Sequence, residues 1–370
     1  MATFQPPPHV ALPEQMSLAL DSDIAARSIE ATVAGQLRRY PRLRFMGSKY
    51  KLAPRLAEIF DELPAGPAVD AFSGSGVVAY TLKLSGRGVL ANDHLAFTAR
   101  IASALVANDT ETLSDEDLLD LCSGNVDGRS FIAETFNGLY FPSSDHEFLD
   151  AAWSHLDLMP ERKQDLAIAG LCLAAARKQP RGVFTFTSPR YDDGRRHLRM
   201  SMKELFIEAV AELNAAVFEG EQSCSASGED VFDLPTDEFE LAYFDPPYAP
   251  PRDDTCYIKR YHFLEGLATY WRGQEIMWET RTRKLRKRFT PFSYKRTAPA
   301  ALDRLFGHFR GATLVVSYGS NAALTARDLE ELLFRHRRSV ERIEIPHRYA
   351  FGTHQTAARR LATEYVYIAE

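Results

Sequence analysis

The sequence predicts a Rossmann-like α/β fold with a mostly parallel sheet. A helical insertion interrupts the chain between strands of this sheet, and the last strand of the sheet belongs to an antiparallel hairpin. The first observation is a strand, a glycine turn, a helix and a second strand within residues 67–93. The second is that this alternation stops over residues 107–222. The third is a pair of closing strands, 339–345 and 363–369, joined across a basic loop that contains glycine.

The first part of the chain alternates between helical and strand patterns. Apolar residues recur at helical spacing before the first strand, and a glycine turn separates that strand from the next helix. The predicted elements are a helix near 52–60, a strand over 67–72, a helix over 77–83, a strand over 88–93 and a helix over 95–106.

The remainder is predicted to be helical first and then α/β again. Helices are predicted over 166–176 and 200–218, and strands over 239–244, 313–318, 339–345 and 363–369. The predicted organisation is an N-terminal arm over 1–40, a sheet domain over 41–110 and 223–370, a helical insertion over 111–222 and a basic loop over 272–298.

The composition of the 370 residues is that of a globular protein, 45% hydrophobic and 25% charged. No apolar run is long enough to span a bilayer, and the start of the chain lacks a signal-peptide layout, so we expect a cytoplasmic protein without a membrane partner. The four cysteines are far apart in sequence, which predicts neither a metal site nor disulfides.

Basic residues form three clusters although the net charge is −6. The 281–296 cluster contains Arg281, Arg283, Lys284, Arg286, Lys287, Arg288, Lys295 and Arg296; the 177–199 cluster contains Arg177, Lys178, Arg181, Arg190, Arg195, Arg196, His197 and Arg199; the 347–360 cluster contains His347, Arg348, His354, Arg359 and Arg360. Basic patches on an acidic protein are typical of a polyanion-binding surface. The alternative for any one cluster is a solvated basic loop.

The sequence Asp245-Pro246-Pro247-Tyr248 follows the buried apolar run 241–244. The two prolines cannot continue a strand or enter a helix, so the chain must leave the sheet in a stiff, extended turn. That turn holds a carboxylate, an aromatic ring and proline carbonyls, a set that suits the exocyclic amine of a flat base. The alternative is a strand end whose Asp caps a helix.

Residues 73–76, Ser-Gly-Ser-Gly, lie between a predicted strand and a helix. Glycines let the backbone approach a ligand closely. The spacing matches neither the dinucleotide fingerprint nor a phosphate-binding P-loop, so the ligand need not contain phosphate. Asp93 ends the second strand, where an acid can accept hydrogen bonds from ribose hydroxyls. A helix cap for the segment that starts at Leu95 is the alternative for Asp93.

A third motif, Phe45-Met46-Gly47-Ser48-Lys49, precedes the first helix. Lys49 can meet a carboxylate, and Phe45 can cover an adenine. By itself the motif also fits a simple turn before a helix.

Together the three motifs resemble the S-adenosylmethionine-dependent N6-adenine DNA methyltransferases, in the order found in the Dam-like group. The resemblance covers about 42–110 and 225–370. It implies a class I methyltransferase sheet, S-adenosyl-L-methionine as cofactor, double-stranded DNA as partner, and methyl transfer to adenine N6 by base flipping and direct displacement, without a metal. A restriction-modification or other DNA-marking role, with a cognate restriction system as partner, is also implied.

The resemblance assigns roles to individual residues. The cofactor-binding residues it implies are Phe45, Gly47, Lys49, Asp70, Phe72, Gly74, Gly76, Asp93, Asp230 and Asp245. The catalytic residues it implies are Asp245, Pro246, Pro247 and Tyr248, with the Tyr248 ring, rather than its hydroxyl, holding the flipped adenine. For DNA binding we expect Arg195, Arg196 and Arg199 in the insertion, and Arg283, Lys284, Arg286 and Lys287 in the basic loop.

Three alternatives remain open from the sequence. An RNA methyltransferase acting on adenine or guanine amines could use the same Asp-Pro-Pro-Tyr group. A catalytically silent DNA-binding regulator could keep the fold, although it has no need of that group. A nucleotide-binding enzyme with another cofactor is disfavoured by the missing phosphate loop. The recognition sequence and the oligomeric state are not predicted.

Overall fold

The computed structural model describes residues 33–185, 194–249, 256–348 and 361–370. Most of the predicted N-terminal arm lies outside the described residues, as do Arg190, His354, Arg359 and Arg360 of the basic clusters. Residues 33–39 form a helix. Within the described ranges, no helix combines the length and the apolar character needed to cross a bilayer.

The secondary structure begins with a helix and then alternates before a long helical stretch. The helices are α1 (Ala53–Asp61), α2 (Val77–Leu84), α3 (Ala96–Leu105), α4 (Asp115–Leu121), α5 (Phe131–Thr135), α6 (Ser143–Leu156), α7 (Glu161–Lys178), α8 (Met202–Ala216), α9 (Tyr257–Leu267), α10 (Ala298–His308) and α11 (Ala326–Phe334). The strands are β1 (Ala68–Asp70), β2 (Val89–Asn92), β3 (Ser225–Ser227), β4 (Leu241–Phe244), β5 (Thr313–Gly319), β6 (Val340–Arg348) and β7 (Leu361–Ala369).

The seven strands form one sheet in the order β3-β2-β1-β4-β5-β7-β6. Strands β1 to β5 are parallel, with Asp70 in register with Ala91 of β2 and Tyr243 of β4. Strand β7 runs antiparallel to both β5 and β6. The predicted Rossmann-like sheet with a closing antiparallel hairpin is therefore confirmed. The carboxyl ends of β1, β2 and β4 meet at one edge, the usual ligand-binding edge of such sheets.

Strand β4 shows how the centre of the sheet is buried on both faces. Leu241 and Tyr243 belong to a core that extends into the helical region. Ala242 and Phe244 belong to a second core, shared with α10 and α11. A strand covered on both faces is a continuous apolar run in sequence, which is why its position could be predicted.

The helices between β2 and β3 pack as a layer on the sheet domain. Helix α7 is buried along most of its length and packs on α3 and α8. At its end, Arg177 is bonded to Glu212 at 2.5 Å, and the buried Lys178 is paired with buried Asp145 at 2.7 Å. Arg177 and Lys178 are therefore structural cations. The expectation that the whole 177–199 cluster faces a polyanion is wrong for these two residues.

Helix α9 and strand β3 were not predicted from the sequence. Most of α9 is buried, including His262 and Glu265, so it has no polar stripe to reveal a helical period. Strand β3 is three small residues, Ser-Ala-Ser, and it is ordered by pairing with β2 alone. In both cases the tertiary contacts, rather than the local pattern, decide the structure.

Candidate active site

A cavity of about 360 Å³ opens at the carboxyl ends of β1, β2 and β4. The sequence-predicted residues that line it are Phe45, Gly47, Lys49, Asp70, Phe72, Gly74, Asp93, Asp230, Asp245 and Pro247. Three separate motifs therefore converge on one cavity. Gly76 and Tyr248 lie next to lining residues, and their contacts show how each supports the cavity.

The two glycines of the 73–76 turn have backbone angles that other residues rarely adopt. Gly74 has φ +50°, and a Cβ atom there would lie 2.8 Å from Cε1 of Phe45. Gly76 has φ +77°, and a Cβ atom there would lie 2.6 Å from the Tyr40 hydroxyl, which donates to the Ser75 carbonyl. Glycine is thus required at both positions, to admit Phe45 to the cavity wall and to let Tyr40 hold the turn.

Asp93 holds two backbone groups with its carboxylate. Oδ2 accepts from the Gly74 N–H at 2.7 Å, and Oδ1 accepts from the Leu95 N–H at 2.9 Å, at the start of α3. Leu95 is the N-cap residue of α3 and no side chain caps that helix, so Asp93 forms a turn before the helix rather than the cap considered as its alternative. The same carboxylate also fixes the glycine turn. Burial raises the pKa of Asp93, and these backbone bonds oppose the shift. Each carboxylate oxygen has a further lone pair for a ligand hydroxyl.

Asp70 is a buried carboxylate in the cavity wall, with a relative exposure of 1%. Neither oxygen has a hydrogen-bond partner of normal geometry among the described residues. Burial raises the pKa of Asp70 well above its ordinary value, the charge of Asp245 adds to this, and the backbone near Phe72 and Ala79 only partly opposes it. A buried acid without a partner fits a ligand that brings a cation.

Asp245 is part of a compact network with Lys49, Tyr248 and Glu364. Lys49 Nζ lies 2.6 Å from Asp245 Oδ2, 3.1 Å from the Tyr248 hydroxyl and 3.3 Å from Glu364 Oε1. The Tyr248 hydroxyl lies 2.8 Å from Asp245 Oδ1 and 2.5 Å from Glu364 Oε1. Lys49 also donates to the Gly47 carbonyl at 3.1 Å, which ties the network to the turn before α1.

The network sets the ionisation of its members. Burial raises the pKa of Asp245; the charge of Lys49 opposes this, and the charge of Glu364 adds to it. For Lys49, burial lowers the pKa, but the two carboxylates outweigh it and the net shift is upward. The site thus holds one firmly charged ammonium group between two carboxylates.

Comparison with known protein families gives a match over part of the chain. Residues 45–121 match the D12 class N6 adenine-specific DNA methyltransferase family. These residues include the Phe45 motif, the glycine turn and Asp93, each of which contributes to the cavity lining. Over this segment the chain is similar to D12 class adenine-specific DNA methyltransferases.

One relative is similar over most of the chain. The Type II methyltransferase M2.HphI of Haemophilus parahaemolyticus is 27% identical over 330 residues, which are 84% of this chain and 93% of that protein. Methyltransferases of this family use S-adenosylmethionine as a rule. The family description names DNA as the substrate.

Three aromatic residues that were not predicted as site residues line two walls of the cavity: Tyr257, Phe232 and Phe292. Phe45 stacks on Tyr257 and Tyr261 of α9, with ring centres 5.3 and 5.1 Å apart. On the other side, Phe292 stacks on Phe232 at 5.9 Å and meets Phe72 edge-on at 5.1 Å. The spacing of the two tyrosines, four residues apart, was the only signal in sequence for their shared face.

Asp230 lies at the exposed rim of the cavity. Its Oδ1 accepts from the Phe232 N–H at 3.0 Å, which fixes the turn that carries Phe232 into the wall. Nearby, the Arg304 guanidinium lies over the Phe232 ring, 3.8 Å from its centre. Asp230 therefore positions an aromatic wall, and it also presents a carboxylate beside the cavity.

The basic loop over 272–298 reaches the mouth of the cavity. Its two arms pair through Ile276 and Leu285, and the residues from Lys287 to Tyr294 form part of the cavity wall. Among them, Phe289 is 67% exposed and stacks on Tyr294. The 281–296 cluster therefore borders the cavity.

The predicted DNA-binding cations of this loop differ in their partners. The Lys287 ammonium lies 4.7 Å from the centre of the Tyr294 ring, and the Arg283 guanidinium lies 5.5 Å from that of Trp278. Lys284 is half-buried. Arg286 is paired with Glu275 at 2.7 Å, and both side chains are more than half exposed. Arg286 therefore already has a partial counter-charge that the sequence alone did not indicate.

The predicted DNA-binding cations of the helical region lie on a 3₁₀ turn, Arg196–Leu198, and beside it. Arg195 is half-buried and donates to the Arg177 carbonyl at 3.3 Å. Arg196 is exposed and paired with Glu208 of α8. Arg199 is exposed. Among the described residues, no three acidic, histidine or cysteine side chains form a group that could hold a metal ion.

Proposed function

We propose that the enzyme transfers the methyl group of S-adenosyl-L-methionine to the N6 amine of a flipped adenine in a specific duplex DNA sequence. The observation that carries the proposal is the position of Asp245. The Asp-Pro-Pro-Tyr carboxylate lines the same cavity as Asp70 and Asp93, and the basic loop borders that cavity. Asp245, which can hold an amine, thus shares a cavity with two acids suited to the cofactor, and the cations of the basic loop are suited to DNA.

The residues of the cavity fit S-adenosylmethionine. The cofactor carries a cationic amino group and a sulfonium, and it supplies an electrophilic methyl group when bound. Asp70 is the candidate for the cationic amino group because its buried carboxylate lacks a partner among the described residues. Asp93 is the candidate for the ribose hydroxyls. The aromatic wall of Phe232 and Phe292, with Asp230 at the rim, is suited to the adenine.

Asp245 and the Pro246 carbonyl would activate the target amine by position. The lone pair of an adenine amine is delocalised into the ring, so the amine is a poor nucleophile. Two acceptors that hold its hydrogens favour a lone pair directed at the methyl group. Transfer is then a direct displacement promoted by alignment. Because a paired base cannot reach the cavity, the adenine must leave the helix, and Tyr248 offers a ring on which it can stack.

The domain organisation proposed on this basis has two catalytic segments and one recognition segment. Residues 41–110 and 223–370 would bind cofactor and target base, and residues 111–222 would contribute to DNA recognition. The loop over 272–298 would contact phosphates beside the flipped base.

A role in a restriction-modification system is supported by the similarity to a Type II methyltransferase. On this proposal, a cognate restriction enzyme recognises the same sequence, and methylation blocks its cleavage. An RNA substrate is the second candidate, because adenine and guanine amines in RNA present the same chemistry to Asp245.

The test of the proposal is methylation with labelled S-adenosylmethionine. The purified enzyme is incubated with unmethylated genomic DNA or with total RNA, and modified bases are mapped by sequencing. We expect label in DNA only, at adenines within one short sequence. Label in RNA alone, or no label in either, contradicts the proposal.

Tyr248 provides a first prediction about the site. Replacing Tyr248 with Phe should lower the rate of transfer, because the hydroxyl contacts Lys49, Asp245 and Glu364. Replacing it with Ala should lower the rate further, through loss of roughly 1–3 kcal/mol of base stacking. The measurement is single-turnover transfer, with 2-aminopurine fluorescence at the mapped target position to follow flipping. A Phe variant as slow as the Ala variant would assign the whole effect to the hydroxyl.

The basic loop provides a second prediction. Changing Arg283, Lys284, Arg286 and Lys287 together to Ala should weaken binding to every duplex. The slope of the salt dependence should fall by about 0.9 for each phosphate that the loop no longer neutralises. Binding is measured by fluorescence anisotropy over a range of salt concentrations. Arg286→Ala alone should have the smallest single effect because Glu275 already pairs with that side chain.

The matched control for the loop is Arg327→Ala, which removes an exposed cation from α11. It should leave both the affinity and the salt slope unchanged. If the fourfold variant behaves like this control, the loop does not contact DNA.

A further inference from the structure

Glu364 is a fully buried carboxylate on β7 that the sequence patterns did not indicate. Because β7 is the antiparallel strand, its first residues lie at the same edge of the sheet as the last residues of β4 and β5. Glu364 is in register with Gly319, the last residue of β5. A Cβ atom at Gly319 would lie 3.0 Å from Cε2 of Tyr248, so that glycine allows the Tyr248 ring to approach the strand.

The Tyr248 hydroxyl bridges the two carboxylates. It lies 2.8 Å from Asp245 Oδ1 and 2.5 Å from Glu364 Oε1, and Lys49 donates to it at 3.1 Å. Lys49 also faces both carboxylates, 2.6 Å from Asp245 Oδ2 and 3.3 Å from Glu364 Oε1. Glu364 therefore contacts both side chains that hold Asp245.

We propose that Glu364 is a positioning residue for methyl transfer, which holds Tyr248 and Lys49 around Asp245. This inference rests on the proposed role of Asp245. Held by these contacts, the Asp245 carboxylate would stay in place to accept the hydrogens of the target amine.

The described surroundings of the two carboxylates contain one cation. Among the described residues, the titratable side chains near the pair, besides Lys49 and Tyr248, are Asp70, Tyr243, Tyr257 and Tyr318. Within this set Lys49 is the one cation, and it faces both carboxylates. The charge of Lys49 opposes the raised pKa of Asp245 and the charge of Glu364 adds to it, so a change at Glu364 should be seen in the pH dependence of transfer.

The test compares Glu364→Gln and Glu364→Ala by single-turnover transfer over about pH 5 to 9. The Gln side chain has nearly the same shape and can keep hydrogen bonds to Tyr248 and Lys49, so this variant should keep most of the rate. Its acid limb should move to lower pH by roughly one unit, because Asp245 loses a like-charged neighbour. The Ala variant should be slower by about 10- to 150-fold, because the bonds that hold Tyr248 and Lys49 are lost.

Three controls make the outcome decisive. Glu341→Gln, an exposed acid on β6, should leave the rate and the pH profile unchanged. Melting temperature and calorimetric affinity for S-adenosylmethionine are measured on every variant. If Glu364→Gln shows the unchanged pH profile, or both variants lose rate only in proportion to a loss of folded protein, the positioning role is overturned. Asp245→Ala is assayed alongside, because full activity in that variant overturns the proposed function itself rather than the role of Glu364.

Discussion

Replacing Asp245 with Ala is expected to reduce methyl transfer on the order of a thousandfold or more. The variant removes the carboxylate that we propose accepts the hydrogens of the target amine. It also leaves Lys49 with Glu364 as its remaining carboxylate partner within 4 Å among the described residues. The measurement is single-turnover transfer to a duplex with the mapped target sequence.

The DNA affinity of Asp245→Ala distinguishes a loss of catalysis from a loss of folded protein. DNA affinity should stay close to that of the unchanged enzyme, because Asp245 is a half-buried cavity residue rather than part of the basic loop. Asp237→Ala, an exposed acid in the loop before β4, is the matched control and should be fully active. Near-normal turnover in Asp245→Ala would remove this residue from the mechanism.

Replacing Asp70 with Asn is expected to weaken S-adenosylmethionine binding by about 30-fold to a few thousandfold. The basis is that truncating one partner of a buried charge pair costs roughly 2–5 kcal/mol. The Asn side chain has nearly the same shape, so the cavity is preserved while the charge is lost. Isothermal titration calorimetry measures the change in affinity.

The same variant should not destabilise the free enzyme. The Asp70 carboxylate is buried without a hydrogen-bond partner of normal geometry in the described structure, and a neutral amide costs less to bury than such a charge. The melting temperature without cofactor should be equal or higher. Asp233→Asn, an exposed change near the cavity, controls for general effects of the substitution. Unchanged cofactor affinity would show that Asp70 does not bind the cationic amino group of S-adenosylmethionine.

In the wild-type enzyme, the affinity for the cofactor should depend on pH through the ionisation of Asp70. The pKa of Asp70 is raised by burial first and by Asp245 second, so the ionised form is present only above that raised value. Affinity should therefore fall with decreasing pH at a higher pH than for an ordinary aspartate, and this fall should be reduced in Asp70→Asn.

The motifs were predictable because each depends on a few consecutive residues. Two consecutive prolines end a strand in any sequence, and a pair of them follows β4. The position of Asp245 at a strand end therefore follows from local stereochemistry. The turn with Gly74 and Gly76 needs left-handed backbone angles, and only glycine adopts these at little cost. Strands buried on both faces are apolar runs, so β1, β2, β4 and β5 could be located from sequence.

Other features depended on contacts between distant residues. Glu364 lies 119 positions after Asp245 and looks like one polar residue in an alternating strand. Its place beside Lys49 and Tyr248 follows from the reversed direction of β7, which no local pattern specifies. Likewise, Arg177 and Lys178 look like surface cations at a helix end, and only their pairing with Glu212 and Asp145 shows that they are internal.

The sequence by itself therefore determined the fold class, the resemblance to adenine-specific DNA methyltransferases and the three motifs that form the cavity, because backbone stereochemistry and burial act over a few residues. The tertiary structure alone decided which charges are paired, which aromatic residues form the walls and which second acid faces Asp245. Those features arise from side chains that meet across the sheet, and their energies depend on distance and burial that sequence separation does not encode.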